Sequence, residues 1–294
     1  MGQSKLTKVL RLLMLLILTA ALGGIFWAWQ QKSPAMHFGE VQEEFTLEKV
    51  PDFSGFPYVE FNGGVPYFTE TDLTADPYEQ YSELDWLGRC GPAEACLGQE
   101  LMPTEERGLI GQVRPSGWKI KKYDFVDGKY LFNRCHLIAF QLTGQNDNPR
   151  NLITGTRYLN LEGMLPFEEM VGNYVRETAN HVLYRVTPMF EGMNPLAAGV
   201  LMEAFSVEDR GAGVCFCVFV YNVQPGVEID YTTGESEMEE EWIPDYVLNR
   251  NRKKFHRPEC PSVQDIRPEH RSNYRGTRDA LIAHGYSPCG VCRP

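Results

Sequence analysis

Positive charge is scarce in this chain. Lys and Arg number 28 against 39 Asp and Glu, for a formal net charge of −11 at pH 7. As an average, that balance excludes a protein that holds a polyanion through its overall field. Internal repeats are absent, which excludes solenoid and propeller arrays. What is plentiful is apolar and aromatic content, 43% and 12% of 294 residues, enough for a globular core rather than disorder. The length suits one domain of about 150 to 200 residues with smaller pieces attached.

The first 31 residues read differently from the rest. Lys5, Lys8 and Arg11 precede LLMLLILTAALGGIFWAW, Leu12 to Trp29, which is apolar all round and about as long as a helix that crosses a bilayer. Trp27 and Trp29 suit the membrane interface, and the positive charge before the run retains the N-terminus in the cytoplasm. The expectation is an uncleaved signal anchor, single-pass in the cell membrane, with everything after residue 32 outside. The alternative is secretion after cleavage near Thr19-Ala20-Ala21, which loosely resembles a small-residue cleavage site.

The average charge conceals blocks. From Gln112 to Arg157 there are eight basic and three acidic residues, a balance of +5. Ser33 to Gly111 carries three basic against sixteen acidic, and Tyr158 to Asp245 repeats those numbers. Tyr246 to the end carries ten against four, or +6. Two local basic patches therefore sit in an acidic chain.

Short aromatic pieces such as YVEFNGGVPYF, turning at Asn62-Gly63-Gly64, begin the body after a polar, acidic linker interrupted by Pro34 and Pro51. In KYDFVDGKYLFNRCHLIAF two alternating runs flank Asp127-Gly128, which predicts a hairpin with His136 in or just after its second strand. QNDNPRNLITGT then reads as a loop. Met164, Phe167, Val171 and Tyr174 recur at helical spacing, with Gly163 and Pro166 making the first turns irregular. HVLYRVTPMF, GVLMEAFSV and VCFCVFVYNV predict an antiparallel meander, and GESEMEEEW a charged linker.

The stretch NRCH, Asn133 to His136, lies in the basic block. Phosphodiester hydrolysis needs a base for water, positive charge at the phosphate and help for the leaving oxygen. His136 offers the base, since an imidazole titrates near working pH. Arg134, two residues earlier on the same side of an extended strand, is a candidate phosphate contact or structural clamp.

NRCHLIAFQLTG and NPRNLITGTRYLNLEGMLPFE together resemble the active-site region of the DNA/RNA non-specific endonucleases, the ββα-metal nucleases that include membrane-associated DNA-uptake nucleases of competent bacteria. The family pattern is Asp-Arg-Gly-His, an Asn in a loop, a second Asn nine positions on and a Glu eight beyond that. Here those places hold NRCH, Asn151, Asn160 and Glu168. The resemblance runs from about Tyr58 to Tyr231. It implies His136 as general base, Asn160 as the direct protein ligand of a hydrated Mg²⁺ (or Mn²⁺), Glu168 holding its water, and Asn151 orienting His136 or the substrate. Magnesium suits so sparse a set, because it keeps most of its waters and needs few oxygen ligands. Asn133 and Cys135 depart from the usual Asp and Gly, losing a carboxylate and demanding room. Arg114, Lys119, Lys121, Lys122, Arg150 and Arg157 are candidates for gripping the substrate backbone, Arg157 foremost because it lies between Asn151 and Asn160.

Near the C-terminus His256 and Cys260 are four apart, and Cys289 and Cys292 form a CxxC after a 28-residue interval. Two such pairs predict a tetrahedral Zn²⁺ site, with a disulfide as the rival in an oxidising compartment, although three Cys and a paired His would leave one thiol unmatched; a segment of this size needs a staple to fold. The segment is similar to the metal-binding module of the alkylation-repair protein Ada, which has Cys where His256 stands, so repair chemistry is not implied. Arg250, Arg252, Lys253, Lys254 and Arg257 lead into it and suit phosphate. Of the other cysteines, Cys90 and Cys96 could close a small-loop disulfide, and Cys215 and Cys217 read as buried strand thiols.

The expected fold class is α+β: a ββα-metal nuclease core with a central antiparallel sheet, an N-terminal transmembrane helix and a small zinc module. The expected order is an anchor over 1–31, a linker over 32–55, the endonuclease domain over 56–232, an acidic linker over 233–245 and the zinc module over 246–294. The expected activity is Mg²⁺-dependent, non-specific endonucleolytic hydrolysis of DNA, with RNA as a further substrate. The alternative is a non-catalytic nucleic-acid receptor at the cell surface.

Overall fold

The computed structural model describes residues 44–239, 245–275 and 278–294. The expected membrane helix, Leu12 to Trp29, lies outside the described residues. Among those described, no helix is long and apolar enough to cross a membrane.

The strands in chain order are β1 (Tyr58–Glu60), β2 (Tyr78–Tyr81), β3 (Ala93–Leu97), β4 (Phe132–His136), β5 (Leu152–Thr156), β6 (Val182–Met189), β7 (Gly199–Ser206), β8 (Cys215–Tyr221), β9 (Val227–Ile229) and β10 (Ser236–Met238). The C-terminal segment adds β11 (Asp245–Asn249), β12 (Lys254–His256), β13 (Arg271–Arg275) and β14 (Ser287–Pro288). Helices are α1 (Phe140–Thr143), α2 (Leu165–Thr178) and α3 (Arg278–Ala283).

A six-stranded antiparallel sheet, in the order β1-β8-β7-β6-β3-β2, forms the centre. Its middle is the predicted meander, and β7 is buried along its whole length. On one face lie β4, β5 and α2. Phe167, Val171 and Val175, four residues apart, turn one stripe of α2 into a core shared with Val182, Tyr184, Val200 and Val218 of the sheet. Each such side chain, fully removed from water, contributes on the order of 1.5–3 kcal/mol.

The hairpin that carries His136 differs from the sequence expectation. β4 pairs not with Lys122–Val126 but with β5, so that His136 faces Leu152 and Phe132 faces Thr156. The run around Asp127-Gly128 keeps a single bridge, Lys122 to Tyr130. The reason is burial. Every residue of β5 is buried and Ile153 enters the main core, whereas Tyr123 and Phe125 pack instead into a satellite cluster with Leu131, Phe132 and Leu196. The supposed loop QNDNPRNLITGT is thus a loop only through Asn151. The expected Cys90–Cys96 disulfide is also absent: Cys90 donates to the carbonyls of Pro149 and Leu152, and Cys96 to that of Thr74. Within the expected acidic linker, Ser236–Met238 pairs with β9, and residues 240–244 lie outside the described set.

The C-terminal segment forms its own four-stranded sheet, β13-β11-β12-β14. Alternation along β11 sends Val247 toward Cys260, Val263 and Cys289, and Tyr246 and Leu248 toward Phe255 and Leu281.

Candidate active site and metal-ligand cluster

β4 ends at His136, and Asn151 fixes where the chain goes next. The Leu137 N–H donates to the Asn151 carbonyl at 2.9 Å. The Asn151 side chain then accepts from Ile138 N at 2.8 Å and donates to Ile138 O at 2.9 Å. A fully buried amide thus extends the β4–β5 ladder by one more pair and sets the direction in which the imidazole points. Asn151 does not line the cleft that His136 faces; it acts through the backbone.

His136 is 6% exposed. Its Nε2 donates to the carbonyl of Asn146 at 2.8 Å, which leaves Nδ1 as the proton-accepting nitrogen. The Arg107 Nη2 lies 3.4 Å from that nitrogen. Burial holds the His136 pKa below the ordinary histidine value, with the Asn146 carbonyl acting in the opposite direction and the Arg107 charge lowering it further. The ring is therefore neutral at neutral pH, as a base must be.

After β5 the chain enters a π-helical turn, Leu159–Met164, that runs directly into α2. Thr156 Oγ1 accepts from Leu159 N at 2.9 Å, and Asn222 accepts from Thr156 N at 2.8 Å, tying the turn to the end of β8. Gly163 lets the turn lie against β8, because a Cβ there would stand 2.2 Å from Val220 Cγ1. Asn160 is not a helix cap; it sits within this wide turn, the kind of irregularity that recurs at functional sites. One helical turn of α2 later comes Glu168, 7% exposed. Burial pushes its carboxyl up to about 8; the nearby Arg107 charge acts the other way, and Glu169 raises it.

A cleft of about 730 Å³ brings these groups together: His136, Asn160, Glu168, Asn133, Arg134, Arg157 and Arg107 all line it. Arg107 was not singled out from the sequence, since it stands alone in an acidic block with no motif around it. Arg134 behaves as a clamp. Its Nε donates to Val113 O at 2.5 Å and its Nη2 to Gly111 O at 2.8 Å, while the guanidinium lies 4.0 Å from the Trp118 ring centroid. Arg157 reaches Asp127 at 2.8 Å and Asn133 Oδ1 at 3.1 Å, so Asp127 supplies a carboxylate beside Asn133. The Nδ2 of Asn133 is buried without a partner. Cys135 finds its room at Gly155, where a Cβ would meet its sulfur at 2.5 Å. Arg150 pairs with Glu83 and, like Arg114, does not line the cleft.

Residues 70–207 match the family model described as DNA/RNA non-specific endonuclease. Over those residues the chain is similar to that family, and the protein is an endonuclease. Among solved structures, NucA from Streptococcus agalactiae is similar both without metal and with magnesium ion bound. In each case identity is 25% and the TM-score 0.54, over 61% of this chain and 86% of that one. The Sda1 nuclease with bound zinc ion shares 29% identity over 55% of this chain and 81% of its own, with a TM-score of 0.49. No curated protein matches the chain.

Outside the endonuclease domain, one atom each from His256, Cys260, Cys289 and Cys292 lies within 4.8 Å of the others. Three of these residues are buried and Cys292 is half-buried. Neither ring nitrogen of His256 has a hydrogen-bond partner despite burial, which is costly unless an electrophile fills the space. Backbone N–H groups of Arg257 and Val291 point at the sulfurs of Cys292 and Cys289, each at 3.4 Å. These donors suit thiolates, so the set fits a tetrahedral zinc ion.

Proposed function

We propose that the endonuclease domain hydrolyses DNA, and RNA as a further substrate, with magnesium or manganese held at Asn160 and Glu168 and with His136 as general base. The observation that carries this reading is the shared cleft, which a neutral, oriented imidazole lines together with an amide and a buried carboxylate, with Arg107 standing at the accepting nitrogen. The residues fit a hard cation: Glu168 is buried with no hydrogen bond offsetting its desolvation, and a nearby divalent charge would ionise it.

When bound, the metal would neutralise the phosphate and stabilise the departing 3′ oxygen. The Asn160 amide oxygen would be its direct ligand, and Glu168 would accept hydrogen bonds from its waters. His136 Nδ1 takes the proton of the attacking water, while the Nε2–H bond to Asn146 keeps the ring in that tautomer. Arg107, parked on Nδ1 in the free protein, turns to the phosphate as it arrives, and in-line attack leaves 5′-phosphate ends. Asn133, Arg134 and Asn151 serve as positioning residues. Arg157 borders the phosphate path; Arg114 and Arg150 belong to its approaches.

His256, Cys260, Cys289 and Cys292 would hold zinc as a structural staple for a basic module that adds grip on nucleic acid. The apolar run at Leu12–Trp29 supports anchoring in the cell membrane with the endonuclease domain outside the cytoplasm, or secretion if the segment is cleaved. Plasmid nicking tests the proposal. Supercoiled DNA is opened in Mg²⁺ and left intact in EDTA, and the His136→Ala protein loses cutting while still shifting DNA on a gel. A wild-type protein that only shifts DNA is a receptor, and the reading is then wrong.

A further inference from the structure

The cleft has two unlike kinds of lining. Beside His136, Asn160 and Glu168 stand Trp118, Ile120, Tyr130 and Phe132, of which Phe132 is buried in the satellite cluster and Trp118 packs against it. Ile120 is 67% exposed and Tyr130 is 48% exposed, among the larger apolar exposures of the described residues. A wall built for backbone phosphate would present free cations, and here the cations are occupied. Lys119 and Lys121 are both drawn to Glu235 at 3.1 Å. Lys122 lies 4.4 Å from the Tyr130 ring centroid, and Arg134, stacked on Trp118, has Nε and Nη2 committed to backbone carbonyls. Trp118 and Ile120 are two apart, as are Tyr130 and Phe132, and a Leu131 N–H to Lys121 O bond joins the two segments side by side. The result is an apolar ledge edged by charge on the wall of the cleft that His136, Asn160 and Glu168 also line.

We infer that this ledge is a stacking site for an unpaired nucleobase, so that the site takes single-stranded nucleic acid, or a strand opened out of a duplex, in preference to intact duplex. The inference rests on the nuclease reading above. A flat π-face flanked by cations suits the ledge, and every base has one. Within a duplex the bases are stacked inward and only phosphates reach a surface cleft; an unpaired strand can turn its bases onto aromatic or guanidinium planes.

The test uses the full chain carrying His136→Ala, which binds without cutting, and two single-stranded decanucleotides in EDTA-free buffer. One bears 2-aminopurine; the other is an abasic sugar–phosphate chain of equal length. The base-bearing strand should bind about tenfold tighter, with its fluorescence quenched. The difference should persist as salt rises, because stacking releases no counterions. Tyr130→Ala and Ile120→Asp should each shrink the difference, and Tyr130→Phe should restore it. Duplex of the same sequence should bind more weakly than the single strand. Equal binding of abasic and base-bearing strands, or no quenching, would overturn this inference and leave the nuclease reading intact. So would sedimentation showing that Ile120→Asp merely splits a dimer. Failure of the wild-type chain to bind or cut any nucleic acid would overturn both.

Discussion

His136 and Glu168 are buried titrating groups pushed in directions that match opposite tasks. His136 is held below its ordinary pKa, so it is a free base over a wider range than an exposed imidazole. Activity should therefore rise with pH through a value below the usual histidine range and then level off, and the His136→Ala protein should lose ~10²- to 10⁴-fold in turnover; initial-rate pH profiles of both proteins check this. Glu168 is raised from 4.5 to about 8, so the folded protein holds its proton more tightly than the unfolded chain does. Folding then favours the protonated form. The group costs nothing below the unfolded pKa, and stability falls as pH rises from about 4.5 toward 8, by on the order of a few kcal/mol. In metal-free protein Glu168→Gln should raise the melting temperature at pH 8 and leave it nearly unchanged at pH 4, while lowering Mg²⁺-dependent cutting. Thermal melts at the two pH values decide it. A gain at pH 4 equal to that at pH 8 would mean that the carboxylate is not the source.

The elements explain what the sequence could and could not convey. His136, Asn160 and Glu168 were singled out through the resemblance to the family motif, and one hairpin and one helix bring all three to the same cleft. The meander was legible because alternation in GVLMEAFSV reports on a strand without naming its partner. The partner of β4 was not legible: the turn at Asp127-Gly128 competes with burial of β5, and only the packed core decides between them. Arg107 and Asn222 were missed because each acts across long sequence separations, at 29 residues from His136 and 66 from Thr156. Gly155 answers the unusual Cys135 in the same way, from the facing strand. At this scale Gly163→Ala is the informative change. Its methyl would enter Val220 of β8, costing ~1–3 kcal/mol in stability and displacing the turn that presents Asn160. Denaturant melts and nicking rates should fall together, and a rate that stays at the wild-type level would detach the π-helical turn from function.

Across the whole molecule, charge is organised in opposed pairs more than the block totals suggest. Within the basic block, Lys119, Lys121, Lys129, Arg150 and Arg157 all face carboxylates, which explains how an acidic chain can display a cleft without a broad positive field. The C-terminal module meets the endonuclease domain at Arg257, whose side chain reaches Glu162 at 3.1 Å, two residues beyond Asn160. Arg257 also follows the candidate zinc ligand His256 directly. If the proposed zinc is the module's staple, a chelator should melt the module first, seen as a separate low-temperature transition, and Cys289→Ser should reproduce it. A single unchanged transition after verified zinc loss would show that the four side chains are not a staple. The central claim is that His136 and a cation at Asn160 act on one phosphodiester. Nicking rate against Mg²⁺ concentration for wild type, His136→Ala and Asn160→Ala tests it most directly. His136→Ala should lower the plateau with little change in the half-saturating Mg²⁺, whereas Asn160→Ala should raise the Mg²⁺ needed at least tenfold. Two variants that keep both the wild-type plateau and the wild-type Mg²⁺ dependence would contradict it.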